Sequence, residues 1–393
     1  MKTIYKSILF IALAVVAVTV NFSCSESVDE TPYISYVRIP NPAQKDSLLV
    51  AATQGQLIAI IGGNLQNTRE VWFNDQKAIV NQGWITEKSV MVNVPEDVPD
   101  EVTNQLKLVF LNGNSLFHEF RVSIAKPRVD NMFCEYVLEG DRAVINGNYF
   151  YPPLSVTFPG GLVVSSEGLD LSINDEFTAI TVKVPQGATN AGQLTVTTNF
   201  GATLSDFWFL DNRNIFQGFG LEENTSDPEK PYGELGTNDG VIVDDPGDSD
   251  PPLINGNYLR MIFNESTWWR QLFCNWNEGF EIPRDAILNP KNYNYKFEVC
   301  TTLPFDGSSL HIWVSDMDAQ NGIPFYEWNP PYDTKGVWRT FVIPLDDIAT
   351  VAGTRWPAVQ ADGYFCGVVY AGSSRLNCDM SFDNFRIVPK SLK

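Results

Sequence analysis

Histidine and positive charge are what this chain has least of. It carries two histidines, His118 and His311, and 27 lysines and arginines against 47 aspartates and glutamates, for a formal net charge of -20 at pH 7. Two isolated histidines offer neither a histidine-rich metal centre nor a catalytic triad, and no Gly-x-Ser-x-Gly elbow occurs. The acidic balance argues against nucleic acid or an anionic membrane surface as partner, because both would repel the chain.

Long apolar stretches with the 3.6-residue period of a helix are also lacking after residue 23. Short alternating runs such as "EVWFND" and "SVMVNVP" take their place, separated by glycine, proline and other turn residues. Such runs are typical of strands, so we predict an all-β fold. The roughly 370 residues that follow position 23 exceed what one hydrophobic core usually serves, which predicts two to three domains.

The N-terminus has the plan of a secretory signal. Two lysines precede an apolar run from about Ile8 to Val20, which is too short for a comfortable membrane span. Cys24 follows a small residue and precedes an acidic stretch, which resembles the lipoprotein signal and surface-export tag of Bacteroidetes. We predict a lipoprotein signal peptide over residues 1–23, lipidation of Cys24 and a tether over 24–32. A cleaved signal with an incidental cysteine is the alternative.

Two successive segments, residues 33–125 and 126–212, repeat one plan. "AIIGGNL" is answered by "AVINGNYF", "EVWFND" by "SVTFPG" and "VMVNVP" by "ITVKVP". The offsets of roughly 84 to 90 residues indicate a tandem duplication. The Gly-containing turn after the first long strand, the Val-x-Phe strand and the closing Val-Pro resemble the IPT/TIG immunoglobulin-like domain. This resemblance implies two immunoglobulin-like sandwiches, which in that family usually act as spacers.

Residues 213–393 have longer strands and hold seven of the ten tryptophans. About seven strands in this length predict two packed antiparallel sheets, a jelly-roll β-sandwich. In "SLHIWVSD", strand alternation places Trp313 on the face opposite Leu310 and Ile312. If the aliphatic face is the core, Trp313 is displayed on the outer face.

Rings interleaved with polar side chains favour a sugar ligand. A pyranose has a face of C–H groups that packs on an aromatic ring, and its rim of hydroxyls needs hydrogen-bond partners. The stretches "TWWRQLFCNWNEG" and "IPFYEWNPPYDTKGVW" supply both kinds of group, although the sequence leaves open which tryptophans are core and which are displayed. The predicted glycan-binding residues are Trp268, Trp269, Arg270, Asn275, Trp276, Trp313, Tyr326, Trp328 and Tyr332.

These parts together, ending in the strand "SFDNFRIV", resemble the surface glycan-binding proteins of Bacteroidetes polysaccharide-utilisation loci, the type B, SusE/SusF-positioned class. The resemblance implies a non-catalytic lipoprotein on the cell outer membrane that binds a polysaccharide through the C-terminal aromatic platform. Xyloglucan, mixed-linkage glucan and β-1,3-glucan are the β-glucans that it suggests. A TonB-dependent SusC/SusD-like transporter complex is the implied partner.

Two other functions stay open at this point. A surface glycoside hydrolase or lyase would need two carboxylates across the glycosidic bond, and no motif singles out such a pair. A protein–protein adhesin would use the immunoglobulin-like modules instead. No cofactor is predicted, but a structural calcium ion stays open at "SDMDAQNG", residues 315–322, although this stretch lacks EF-hand spacing.

The disulfide state of Cys274, Cys300, Cys366 and Cys378 is also open. Cys366 and Cys378 lie symmetrically about Gly372, so a hairpin turning there would bring them together, and export permits a bond. Buried free thiols are favoured, because the five cysteines other than Cys24 are an odd number and the resembled family has an anaerobic habit.

Overall fold

A computed structural model describes residues 31–41, 43, 47–219, 239–274, 280–305, 309–315, 324–331, 333–359, 363–372 and 375–390. The chain forms two compact units, Met1–Ile124 and Ala125–Lys393. About 50% of the residues lie in strands and 7% in helices, which confirms the predicted all-β class. In the part of the chain that is described, no helix is long and apolar enough to cross a membrane. The predicted signal peptide and Cys24 lie outside the described residues.

The first unit is a two-sheet sandwich. Its strands are β1 (Tyr33–Arg38), β2 (Ala51–Thr53), β3 (Leu57–Gly63), β4 (Thr68–Phe73), β5 (Gln76–Lys77), β6 (Ser89–Asn93), β7 (Gln105–Phe110), β8 (Ser115–Glu119) and β9 (Arg121–Ser123). One sheet has the order β1-β3-β6, the other has the order β5-β4-β7-β8, and β2 pairs in parallel with β9. A 3-10 turn covers Gln82–Trp84. Alternate apolar residues, among them Ile58, Ile60 and Val71, are fully buried between the sheets.

The second unit opens with a sandwich of the same plan, which we call the second sandwich. It contains β10 (Arg128–Met132), β11 (Arg142–Asn148), β12 (Leu154–Thr157), β13 (Val163–Ser165), β14 (Leu171–Ile173), β15 (Ala179–Lys183), β16 (Gly192–Thr198) and β17 (Gly201–Phe209). Its sheets have the orders β10-β11-β15-β14 and β13-β12-β16-β17. Ile145, Val156 and Ile180 lie in its core.

One glycine in each copy shows that the first and second sandwiches share a turn. A Cβ on Gly62 would lie 1.9 Å from the carbonyl oxygen of Tyr33, and one on Gly147 would lie 1.9 Å from that of Arg128. Only glycine lets the two backbones come this close. The neighbouring strand carries a β-bulge at the same place in both copies. The shared geometry supports the tandem duplication, while the three domain boundaries stay a prediction.

The remaining strands form a larger third sandwich. They are β18 (Ile215–Gln217), β19 (Val241–Val243), β20 (Tyr258–Ser266), β21 (Trp269–Cys274), β22 (Tyr293–Thr301), β23 (Leu310–Ser315), β24 (Tyr326–Trp328), β25 (Arg339–Pro344), β26 (Phe365–Ala371) and β27 (Arg375–Pro389). A six-stranded sheet has the order β19-β20-β27-β22-β25, with β18 also beside β27, and a four-stranded sheet has the order β21-β26-β23-β24. Helical segments are α1 (Arg284–Leu288), α2 (Leu345–Ala352) and 3-10 turns at Pro290–Asn292 and Gly353–Arg355.

The cysteines of the third sandwich do not form the hairpin pair considered above. Cys366 lies in β26 and Cys378 in β27, and these strands belong to different sheets. Both are free and buried, as are Cys134 and Cys300, whereas the side chain of Cys274 lies outside the described residues. Burial raises the pKa of the Cys300 and Cys378 thiols to about 12, so both stay protonated at neutral pH.

A buried ionic network joins the second and third sandwiches within the second unit. The guanidinium of Arg386, on β27, donates to Glu298 at 2.8 Å and to Glu135 at 2.7 Å. Lys296 donates to Glu135 at 2.6 Å. Glu135 belongs to the second sandwich, so these charges cross the junction. Because each charge is desolvated, separating the two sandwiches at this junction would leave Glu135 apart from the buried cations Arg386 and Lys296.

Candidate functional site

Trp268 lies where the chain crosses between the two sheets of the third sandwich. β20 ends at Ser266 in the six-stranded sheet, and β21 begins at Trp269 in the four-stranded sheet. The Trp268 residue is 76% exposed, more than any other described tryptophan. An indole displayed this fully offers its ring face to a ligand, so the crossover is a candidate binding surface.

Hydrogen bonds on both sides fix the backbone that carries this ring. The hydroxyl of Thr267 donates to the carbonyl of Trp269 at 3.0 Å, and the N–H of Gly372 donates to the carbonyl of Trp268 at 3.1 Å. The indole itself extends into solvent. A ligand that stacks on it therefore orders only a side chain with few rotatable bonds, which keeps the entropic cost of binding small.

Trp269 extends the aromatic surface onto the four-stranded sheet. Its ring is half-buried, with its centroid 6.0 Å from that of Trp268 and the two planes at 44°. In the strand register Trp269 lies opposite Ala371 of β26. The two indoles thus form an angled pair, with one ring fully displayed and the other supported by the sheet.

A row of polar side chains crosses the sheet beside this pair. Gln271 of β21 and His311 of β23 both pair with Val369 of β26, and His311 pairs with Glu327 of β24. Gln271 and His311 are half-buried, and Glu327 is exposed. Amide, imidazole and carboxylate groups in one row give a line of hydrogen-bond partners next to an aromatic surface.

His311 is the neutral member of that row. Its ring stacks on Phe325 with centroids 5.0 Å apart, and its Nδ1 atom is buried without a hydrogen-bond partner among the described residues. Burial lowers the pKa of His311, although the carboxylate of Glu327 opposes the shift. The imidazole is therefore uncharged at neutral pH, and because Nδ1 is buried, its Nε2 atom is the one that either donates or accepts a hydrogen bond at the surface, according to the tautomer.

Arg270 points to the other side of β21, toward the six-stranded sheet. It forms an ion pair with Glu265 of β20, and its guanidinium lies 4.9 Å from the centre of the Phe263 ring. These contacts join β21 to β20 on either side of the crossover that carries Trp268. Arg270 is thus next to the aromatic pair, and its charge is held by a protein partner.

Trp313 is not displayed, contrary to the prediction. Strand alternation does place it on the outer face, because Leu310 and Ile312 lie in the core between the sheets. However, Trp313 is only 1% exposed. Gly367 on the neighbouring strand leaves room for the indole, since a Cβ there would lie 2.2 Å from the ring, and Phe325 packs against it edge-on at 5.8 Å.

Trp328 and Tyr326, which are also among the predicted glycan-binding residues, are not displayed either. They belong to β24, where Trp328 pairs with Leu310 and is 6% exposed. The Trp328 ring contacts Phe297 and Phe341 edge-on, at 4.8 and 5.2 Å, inside the core. Tyr326 is half-buried against the same core. The prediction of a displayed ring at Trp328 is wrong, because this stretch completes the sheet.

Three predicted site residues, Asn275, Trp276 and Tyr332, lie outside the described residues. The same holds for residues 316–322 of the calcium candidate stretch. Among the residues that are described, no group of three or more His, Cys, Asp or Glu side chains is placed to hold a metal ion. The structure thus brings together Trp268, Trp269 and Arg270, and sequence reasoning missed the backbone clamp made by Thr267 and Gly372.

An exposed Trp268 and a half-buried Trp269 beside a polar row, on a β-sandwich that follows immunoglobulin-like modules, provide the groups that a carbohydrate ligand needs. Residues 209–389 match the family of the surface glycan-binding protein B xyloglucan binding domain. A curated relative, an IPT/TIG domain-containing protein of Bacteroides ovatus, is 25% identical over 99% of this chain and 100% of its own length. The match to the family model covers the third sandwich, and the similarity to the curated relative extends over both immunoglobulin-like segments as well.

Solved structures share the fold of the chain. Surface glycan-binding protein PbSGBP-B from Prevotella bryantii superposes with a TM-score of 0.66 at 22% identity, covering 92% of this chain and 99% of that protein. SGBP-B from a complex xyloglucan utilization locus in Bacteroides uniformis gives 0.50 at 19% identity, covering 91% and 99%. The resemblance to type B surface glycan-binding proteins is confirmed. The matched family model and both of these solved structures are of glycan-binding proteins.

Proposed function

We propose that this protein binds a β-glucan, xyloglucan or mixed-linkage glucan, on the surface formed by Trp268, Trp269, Gln271, His311 and Glu327. We call these residues the Trp268 surface. The observation that carries the proposal is the 76% exposed Trp268 on a fixed backbone, in the sandwich that matches a xyloglucan-binding family. The chain holds the polysaccharide without cleaving it.

The chemistry of the surface suits a neutral sugar chain. The C–H face of a glucose ring packs on Trp268, and the 44° tilt of Trp269 lets a neighbouring residue of a twisted chain contact a second ring. Hydroxyl groups then reach the amide of Gln271 and the uncharged imidazole of His311. The only acid in the row, Glu327, accepts from hydroxyls and would repel a uronate.

Display at the cell surface completes the proposal. Lipidation of Cys24 would anchor the chain to the outer membrane, and the bound polysaccharide would pass to a TonB-dependent SusC/SusD-like transporter complex. The acidic stretch after Cys24 and the family of the C-terminal sandwich support this location. The affinity of one site for a flexible polymer is modest, and many anchored copies on one polymer raise the overall avidity.

Replacing Cys24 by alanine should release the protein from the membrane fraction, because no acyl chain would then hold it. Cell fractionation with radiolabelled fatty acid measures the change. Ser25→Ala, at the next position, is the control and should stay labelled and membrane-bound. Membrane retention of unlabelled Cys24→Ala protein would contradict lipid anchoring.

Replacing Trp268 by alanine should weaken polysaccharide binding by about 1 to 3 kcal/mol, roughly 5- to 150-fold in Kd, because the ring supplies the displayed stacking face. Its melting temperature should hardly change, since the ring is exposed. Retardation in gels that contain xyloglucan or mixed-linkage glucan measures binding.

The control for that variant is Trp84→Ala, which removes a 40% exposed tryptophan of the first unit. It should migrate like the parent in the same gels. If Trp268→Ala is retarded as strongly as the parent on every β-glucan, the Trp268 surface is not the binding site.

A further inference from the structure

The duplication provides an internal comparison at one end of the second sandwich. The shared glycine turn equates Gly62 with Gly147, so Asn64 corresponds to Tyr149. Matching the two sequence strings alone pairs Asn64 with Asn148. The backbone agrees, because φ is 57° at Asn64 and 60° at Tyr149. The next residue in each copy, Leu65 or Phe150, is fully buried.

The residues around this turn differ in kind between the copies. The N–H of Leu65 donates to the carbonyl of Glu87 at 2.9 Å, and the N–H of Phe150 donates to that of Phe177 at 3.1 Å, which equates Glu87 with Phe177. Gln66 and Tyr151 follow the buried residue in each copy. The corresponding residues are Asn64, Gln66 and Glu87 in the first copy and Tyr149, Tyr151 and Phe177 in the second.

Turn geometry does not explain these aromatic residues. Tyr149 and Phe177 both have left-handed backbone, with φ of 60° and 55°. Bulky side chains are disfavoured in that conformation, and asparagine, which the first copy has at Asn64, adopts it at lower cost. Residues held in such a conformation cluster at ligand sites, where the position of the side chain matters more than local stability.

The rings form one cluster that faces solvent in part. Tyr151 lies at its centre, with ring centroids 5.2 Å from Phe177, 6.0 Å from Phe200 and 6.2 Å from Tyr149. Tyr149 and Phe177 are each 36% exposed. A cluster built only to fill a core would bury these rings, as the second sandwich does with Phe158 and Phe209.

A cavity with both polar and apolar walls opens beside the cluster. Its volume is about 360 Å³, and its lining includes Ser166, Ser172, Asn174, Asp175 and Phe177. Hydroxyl, amide and carboxylate groups next to ring faces are the combination that a sugar needs. The exposed acids Asp175 and Glu176 disfavour an anionic ligand.

We propose that Tyr149, Tyr151, Phe177 and Phe200 form a second glycan-binding site, on the second sandwich, for a segment of a neutral polysaccharide. The ligand class rests on the function proposed above, but the site is separate from the Trp268 surface. Two sites on one unit engage one polymer together, so the second binding step is intramolecular. Short oligosaccharides bind the two sites independently.

The test converts the second copy into the first. The variant is the chain from Ser25 to Lys393 with Tyr149→Asn, Tyr151→Gln and Phe177→Glu, which are the residues of the first copy. Asparagine is already accepted at the left-handed turn position, since Asn64 has a φ of 57°. Calorimetric titration with a xyloglucan oligosaccharide should give two sites per chain for the parent and one for this triple variant. On the long polymer its Kd should rise about tenfold or more, because the second attachment is lost.

Leu169→Asn, which removes a 96% exposed apolar residue of the same sandwich, is the control and should bind like the parent. One site in both parent and triple variant, with equal polymer affinity, overturns the proposal. So does a lower melting temperature with unchanged binding, which assigns the rings to packing. Trp268→Ala in the same titration separates failure of the second site from failure of the proposed function. It removes only the Trp268 surface, so this variant should keep the second site.

Discussion

Replacing Arg386 by alanine should lower the free energy of unfolding by about 3 to 5 kcal/mol, because it leaves the buried carboxylate of Glu298 without its cation and leaves Glu135 with Lys296 alone. Arg386 and Glu298 are fully buried, and Glu135 is nearly so. Water can reach these carboxylate oxygens only if the second and third sandwiches separate. Urea unfolding followed by tryptophan fluorescence measures the loss.

The free energy of unfolding that is lost in Arg386→Ala should be smaller at low pH than at high pH. Burial raises the pKa of Glu298 above its ordinary value, and Arg386 opposes that shift. Without Arg386 the pKa of Glu298 rises further, so the folded state holds a proton that the unfolded state releases. Stability is then present below the ordinary glutamate pKa and lost as pH rises through the folded pKa. Arg386→Ala should therefore be less destabilised at pH 5 than at pH 8.

Arg375 provides the matched control. It lies on the same strand, is exposed, and bonds to Asn264 at 2.8 Å. Arg375→Ala should change the free energy of unfolding by no more than about 0.5 kcal/mol. Equal unfolding midpoints for the two variants would show that the network at Arg386 carries no net stability.

Strand alternation predicted which face Trp313 occupies, but not its exposure. Exposure depends on the residue across the sheet, and Gly367 pairs with Trp313 only through a register that the sequence does not show. Alternation also fails in β21, where the register shifts between Gln271 and Phe273. The bulge sends both Leu272 and Phe273 into the core. The sequence therefore predicted the type of fold and the ligand class better than the individual rings.

The junction network could not be predicted from local pattern at all. Glu135 lies 251 positions before Arg386, and Glu298 lies 88 positions before it. In the sequence each is one charge in an alternating run, where the usual outcome is an exposed side chain. Only the packing of two sandwiches, set by many apolar contacts, brings the three together. Once buried there, the three charged side chains need each other as partners, which favours the arrangement of the two sandwiches that keeps them in contact.

Trp328→Ala should lower the free energy of unfolding by about 3 to 5 kcal/mol, because its ring fills the core against Phe297 and Phe341. Its melting temperature should fall by many degrees. Molecules that remain folded should keep their affinity for β-glucan, since the Trp268 surface is untouched. Thermal unfolding and titration well below the melting point measure the two quantities separately.

Trp268→Ala gives the reverse pattern, with binding lost and melting nearly unchanged, so the pair separates core from platform within one sandwich. If Trp328 belonged to the binding site and not to the core, Trp328→Ala would weaken binding to β-glucan and leave the melting temperature unchanged. Normal melting together with lost retardation in Trp328→Ala would contradict the assignment of this ring to the core and return it to the binding surface.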